Sequence, residues 1–172
     1  MPRPRSAGAL VLLAELFVSA CSFGANGSGF RVHDVPGCML TAAEVTRQSG
    51  LSMSSAVDAG AHTALPDGER LCVYSGPGRE RVSVQVMLTD HDGAFAEQRK
   101  QLSTASDVSS VEVGDEAARG VTIRDFGSRI TIVARVGAGY LRVDVDAPYA
   151  LGTSAPVRAE HLANACVEAM TA

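Results

Sequence analysis

The chain has 172 residues and a formal net charge of −4; hydrophobic residues make up 46% of it, yet only 5% is aromatic and Trp is absent. Such a length holds one domain of ordinary size, with a core of Val, Leu, Ile and Ala. Its mild acidity gives no reason to expect nucleic acid or anionic lipid head groups as partners, and the shortage of aromatic side chains argues against a sugar-binding platform.

The N-terminus carries Arg3 and Arg5, then an apolar run from about Ala7 to Val18, then Val18-Ser19-Ala20-Cys21. A basic region, an apolar region and small residues before a cleavage point make a secretory signal. With Cys21 immediately after that point, the tetrapeptide reads as a lipobox. Residues 1–20 are therefore predicted to be a lipoprotein signal peptide, and Cys21 the lipidated N-terminus of the mature chain. Each buried CH₂ of an acyl chain contributes about 0.8 kcal/mol, so two or more chains hold a protein durably on a membrane. Glu15 opposes insertion of the apolar run, and Leu10 to Leu13 with Leu16, Phe17 and Val18 offset it. The run is shorter than the ~20 apolar residues that span a bilayer. The expected location is the extracytoplasmic face of the cell membrane.

Residues 21–36 are rich in Gly and Ser without periodicity and are read as a flexible tether; residues 37–172 are expected to form the single folded domain. Thr41 and Glu44 form a capping box, with Leu40 and Val45 placed as a hydrophobic staple, predicting a helix from Ala42 to Gln48 that Gly50 ends. Residues 53–68 mix Ser, Gly, Pro and Asp and are expected to be a loop. Leu71 to Tyr74 reads as a short strand. After Gly76-Pro77-Gly78, strict alternation of Val82, Val84, Val86 and Leu88 predicts a half-buried strand. Asp92 is placed to cap a helix running to about Leu102, with Phe95 and Leu102 on one side.

Val108, Val111 and Val113 lead to Gly114-Asp115-Glu116-Ala117, and strands are expected over 121–124, 129–136 and 140–145, the last two joined by Gly137-Ala138-Gly139 as a hairpin. Ser154 is placed to cap a final helix with Pro156 in its first turn and Val157, Ala159, Leu162, Cys166 and Met170 facing inward. The order helix, two strands, helix, four strands, helix predicts an α+β fold: an antiparallel sheet of about five to six strands with helices packed on it.

With Cys21 assigned to lipid, Cys38, Cys72 and Cys166 remain, in a compartment where disulfides persist. Three pairings are open. Cys38 with Cys72 is favoured, because one precedes a helix start and the other lies in a strand that a neighbouring element can meet. Cys166 then reads as a buried, inert thiol.

Four features together resemble a family of actinobacterial cell-wall lipoproteins whose domain has no assigned function. They are the lipobox, the segment Cys38-Met39-Leu40-Thr41-Ala42-Ala43-Glu44-Val45, Cys72-Val73-Tyr74, and Gly114-Asp115-Glu116-Ala117. The layout is also similar to extracellular sensor domains of mycobacterial serine/threonine kinases and to lipoproteins of the Mog1/PsbP-like fold. The resemblance implies a ligand-sensing or partner-binding module outside the membrane, and it supplies no catalytic residues. Cys166 stands where the family usually has an apolar residue.

The sequence holds no nucleophile elbow, zinc-protease helix, Cys-x-x-Cys or phosphate loop. Asp90-His91-Asp92-Gly93 offers oxygen and nitrogen ligands, but it reads more simply as a strand end, a turn and a helix cap, so no metal is expected. Asp144 and Asp146 share one face of a strand, a spacing usable for acid–base work, and read more simply as a solvated edge beside Arg142. His33, His62, His91 and His161 are scattered, with His161 expected at the surface. No cofactor and no enzymatic activity are expected. The favoured function is a non-catalytic binding or sensing module for a partner protein or envelope component, through a patch of loop residues around Ser52 to Gly68 and without a deep cavity. A carrier or sensor of an apolar molecule or lipid is the alternative, with a cavity lined by Val84, Ile132 and Leu162; an envelope enzyme comes third.

Overall fold

The computed structural model describes residues 36–61, 65, 68–88 and 93–172. The lipobox with Cys21, most of the tether, His33, His62 and Asp90-His91-Asp92 lie outside the described residues.

Helix α1 (Ala42–Ser49) starts as its capping box dictates. The Glu44 amide donates to Thr41 Oγ1 at 3.2 Å, and the Thr41 amide donates back to Glu44 Oε2 at 2.7 Å. These bonds hold the Glu44 carboxyl below its ordinary pKa. Leu40 and Val45 are both in the core. Gly50 ends the helix with φ of +71°, a left-handed conformation that glycine reaches without the Cβ penalty.

Seven strands form one antiparallel sheet: β1 (Ser55–Asp58), β2 (Glu69–Ser75), β3 (Arg81–Met87), β4 (Asp107–Ser110), β5 (Glu116–Arg124), β6 (Gly127–Val136) and β7 (Gly139–Pro148), in the order β1-β2-β3-β7-β6-β5-β4. The fold is α+β, with one strand more than the upper expectation. The extra strand is β1, in a stretch expected to be loop. It is four residues long at the sheet edge and has no buried residue, so it lacks the alternation that marks strands in a sequence.

Helices cover both faces. On one, α1 and the final helix α3 (Ala155–Thr171) meet the inward side chains of the sheet. Val82, Val84 and Val86 of β3, Ile130 and Ile132 of β6, and Leu141, Val143 and Val145 of the central β7 are all at most 3% exposed. Each such side chain contributes about 1.5–3 kcal/mol relative to an exposed one. The inward stripe of α3 is Ala155, Ala159, Leu162, Ala163, Cys166 and Met170. Val157, expected in that stripe, is half exposed, because it falls one position off the 3.6-residue repeat. Ser154 does not cap α3 either: its backbone is already helical, and its hydroxyl donates to the Leu151 carbonyl at 2.7 Å.

On the opposite face, α2 (Ala94–Gln101) and the following 3-10 turn place Phe95 and Leu102 on Ala118, Val133 and Tyr140 as a second, smaller core. Gly93, in a left-handed conformation, stands at the start of α2, and no side chain caps it. Gly120 lets this layer close, since a Cβ there would come within 3.1 Å of Leu102 and Ala105.

Cys38 and Cys72 are joined in a disulfide with a Cα–Cα distance of 4.9 Å, tying the segment before α1 to β2. The Tyr74 hydroxyl donates to the Leu40 carbonyl at 2.8 Å across the same junction. Cys166 is a free, buried thiol in the main core.

Candidate functional site

The outer face of the sheet, where α2 leaves it uncovered, is set by strand register. Arg81 of β3, Asp146 of β7 and Arg129 of β6 stand directly opposite one another, and Thr122 of β5 follows Arg129's row through the same ladder. The next row is Ser83, Asp144, Thr131 and Gly120, and the row beyond it starts with Gln85 and Arg142. Asp144 and Asp146 therefore lie on the middle strand and not at an edge, correcting the expectation from sequence. The Arg129 guanidinium grips Asp146 through two bonds of 2.7 Å, from Nε and Nη2. Hydrogen bonding to Asp146 raises the Arg129 pKa above its ordinary value, against the opposing effect of burial. Asp144 accepts from Arg142 Nε at 2.8 Å and Nη2 at 3.2 Å, and from Thr131 Oγ1 at 2.5 Å. The two carboxylates are thus occupied as acceptors that orient guanidiniums, a different arrangement from a free acid–base pair.

Two clefts open beside this ladder. The larger, about 420 Å³, is at the end of the sheet where β7 stops at Pro148. Its walls are two hairpin tips on either side of β7: Pro77, Arg79 and Glu80 between β2 and β3, and Arg124, Phe126 and Gly127 between β5 and β6. The Arg79 guanidinium stacks 3.8 Å from the centre of the Phe126 ring, an attraction of about 0.5–1 kcal/mol at an exposed site. The Tyr149 hydroxyl donates to the Arg124 carbonyl, fixing the chain after β7 to the same tip. Glu80 Oε2 is buried in this region and has no hydrogen-bond partner among the described residues. Around the tip, Ile123, Phe126 and Tyr149 are 61%, 64% and 59% exposed, three of the six large apolar side chains that the described surface leaves open.

The second cleft, about 210 Å³, lies between the end of α2 with its 3-10 turn and the outer face of β5, β6 and β7. Gln101 and Thr104 form one wall, Thr122, Arg124 and Arg129 the other. Arg124 borders both clefts.

Sequence reasoning did not single out Phe126, Arg79, Arg124 or Arg129. The signal for Phe126 was an aromatic residue inside the turn Asp125-Phe126-Gly127; Arg79 comes from the β2–β3 turn and Arg124 and Arg129 from separate strands, so together they leave no local pattern. The residues expected to line an apolar cavity, Val84, Ile132 and Leu162, are close-packed core positions, and neither cleft is lined by them. In the segment expected to make partner contacts, Ser52, Ser54 to Val57 and Gly60 are exposed, and part of that surface is the edge strand β1. His161 is exposed, as expected. Among the described residues no cluster of His, Cys, Asp and Glu is arranged to hold a metal ion, and no helix is long and apolar enough to cross a membrane. No protein-family model, curated protein or solved structure matches the chain.

Proposed function

We propose that the chain is a lipid-anchored, extracytoplasmic binding module without a catalytic step, held on the cell membrane through Cys21 and docking an envelope protein at the β7 end of the sheet. The lipobox and the resemblance to actinobacterial cell-wall lipoproteins support the location. The disulfide between Cys38 and Cys72 fits an oxidising compartment.

The observation that carries the docking surface is the exposed aromatic tip beside the larger cleft. Phe126 and Tyr149 are each about 60% exposed; Phe126 lines the cleft with Arg79 and Arg124, and the Tyr149 hydroxyl is bonded to the Arg124 carbonyl. Aromatic residues and Arg are enriched where proteins meet, and exposed apolar groups rimmed by polar ones mark such sites. A docking segment carrying an N–H or a cationic group would also give Glu80 Oε2 the donor it lacks. The alternative, a carrier holding an apolar molecule between sheet and helices, needs room where Val84, Ile132 and Leu162 are packed, so the surface reading is preferred.

A photocrosslinking amino acid in place of Phe126, in cells of the native host, tests this reading. Val157, half exposed on α3 and outside the lining of the larger cleft, is the comparison position. A discrete adduct from position 126 that is missing from position 157 is expected. No adduct at 126, or the same adducts from both positions, would overturn the docking surface.

A further inference from the structure

The smaller cleft has an uneven inventory of donors and acceptors. Its acceptors are largely spent: Gln101 Oε1 lies 3.4 Å from Arg142 Nη1, and no carboxylate lines the cleft. Thr131 Oγ1 and Thr104 Oγ1 have committed their protons, to Asp144 and to the Gln101 carbonyl. Its donors are not spent. The Arg124 guanidinium has no hydrogen bond or ion pair among the described residues, and neither has the Thr122 hydroxyl; Arg129 uses Nε and Nη2 on Asp146 and leaves Nη1 free.

Charge points the same way. Three guanidiniums, those of Arg124, Arg129 and Arg142, line the cleft and no carboxylate does, on a chain of net charge −4; the carboxylates of the same outer face, Asp144, Asp146, Glu69 and Glu116, lie outside that lining. Asp107 does not offset the guanidiniums, because it stands opposite Val121, on the other face of β5 from Thr122. Asp144 and Asp146 also hold Arg142 and Arg129 in place, so two of the guanidiniums are fixed before any ligand arrives, which lowers the ordering cost of binding. Guanidinium groups recognise oxyanions through paired N–H bonds.

We propose that this cleft binds a phosphoryl group, with Arg124, Arg129 Nη1 and the Thr122 hydroxyl as its donors. Donors on side chains of two different strands, one of them an exposed guanidinium fork, suit a tetrahedral group with several oxygens better than a planar carboxylate. A volume of about 210 Å³ is several times the ~30 Å³ share of one water in the liquid, so the phosphoryl group has room for a small substituent. This site shares Arg124 with the rim of the larger cleft, while its phosphate binding is read independently of any docked protein and of how the protein is tethered.

The full-length protein, purified in a mild nonionic detergent, would be titrated calorimetrically with inorganic phosphate, glycerol 3-phosphate and acetate. Saturable binding of one or both phosphates is expected, at least tenfold tighter than acetate, weakening as salt is raised. Equal affinities for the two phosphates assign the free anion as ligand; a glycerol 3-phosphate at least fivefold tighter assigns a phosphate ester such as a lipid or polymer head group. Arg124→Gln, at an exposed position that the core does not use, is expected to weaken the phosphate by tenfold or more. Lys100→Gln, an exposed cation on α2 outside this cleft, should change it less than twofold. No binding at millimolar phosphate, acetate binding as tightly as phosphate, or equal losses in the two variants would overturn the proposal.

Discussion

Two side chains in the core tie stability to alkaline pH. Burial pushes the Cys166 thiol from an ordinary 9.0 up to about 12, and burial, with Cys166 nearby as a lesser cause, pushes the Tyr74 hydroxyl from 10.0 to about 12. Both groups hold their protons more tightly in the folded chain than in the unfolded one. Their contribution is therefore fully present below about pH 9 and is lost as pH rises from 9 towards 12, the folded chain then carrying protons that the unfolded chain has released. Urea unfolding should give level stability from pH 7 to 8.5 and a decline above pH 9. In Cys166→Ala the decline should start only near pH 10, where Tyr74 alone remains. Equal stability at pH 8.5 and 10.5 in the parent chain would contradict this. Glu44 has the opposite sign: its lowered pKa supports the folded state above its ordinary 4.5, and that support is lost as pH falls through the folded value.

At the scale of elements, the Cys38–Cys72 bridge and the Tyr74 bond to Leu40 fasten α1's entry to β2. The bridge closes a loop of 34 residues in sequence, which the chain-entropy account values at about 3–4 kcal/mol. Cys38→Ser should therefore lower Tm on the order of 10 °C under oxidising conditions, at ~2–4 °C per kcal/mol for a chain of this size. With reductant present, parent and variant should melt together; an unchanged Tm under oxidising conditions would contradict a stabilising bridge.

Elements with dense local signals were legible in the sequence. The capping box placed α1, strict Val alternation placed β3, and Gly137-Ala138-Gly139 placed the β6–β7 hairpin, because each depends on residues within one or two turns of chain. Edge strand β1 was not legible: its four residues are held by pairing with β2 and bury nothing, so no periodicity records them. The Cys38–Cys72 pairing, favoured among three, depends on the segment before α1 meeting β2, a tertiary contact that no local pattern states. The arginine ladder was invisible for a related reason. Asp144 and Asp146 were read as an edge because a sequence does not state strand order, and only β7's place between β3 and β6 sets Arg81, Asp146 and Arg129 in one row.

For the whole molecule, net charge is a poor guide to its surfaces. A chain of net charge −4 carries an arginine-rich outer face on the middle of its sheet and an exposed aromatic tip at one end, while its other face is closed by α1 and α3. In the proposed attachment through Cys21, residues 21–36 would act as the tether that sets the reach of both features from the bilayer. That geometry depends on Cys21 being a lipid attachment point, and it is tested most directly by peptide mass spectrometry of the protein extracted from the membranes of its native host. The account predicts that the mature chain begins at Cys21 and that its first peptide carries diacylglyceryl mass on the thiol. A chain retaining residues 1–20, or an unmodified Cys21 in protein recovered from the soluble fraction, would contradict it.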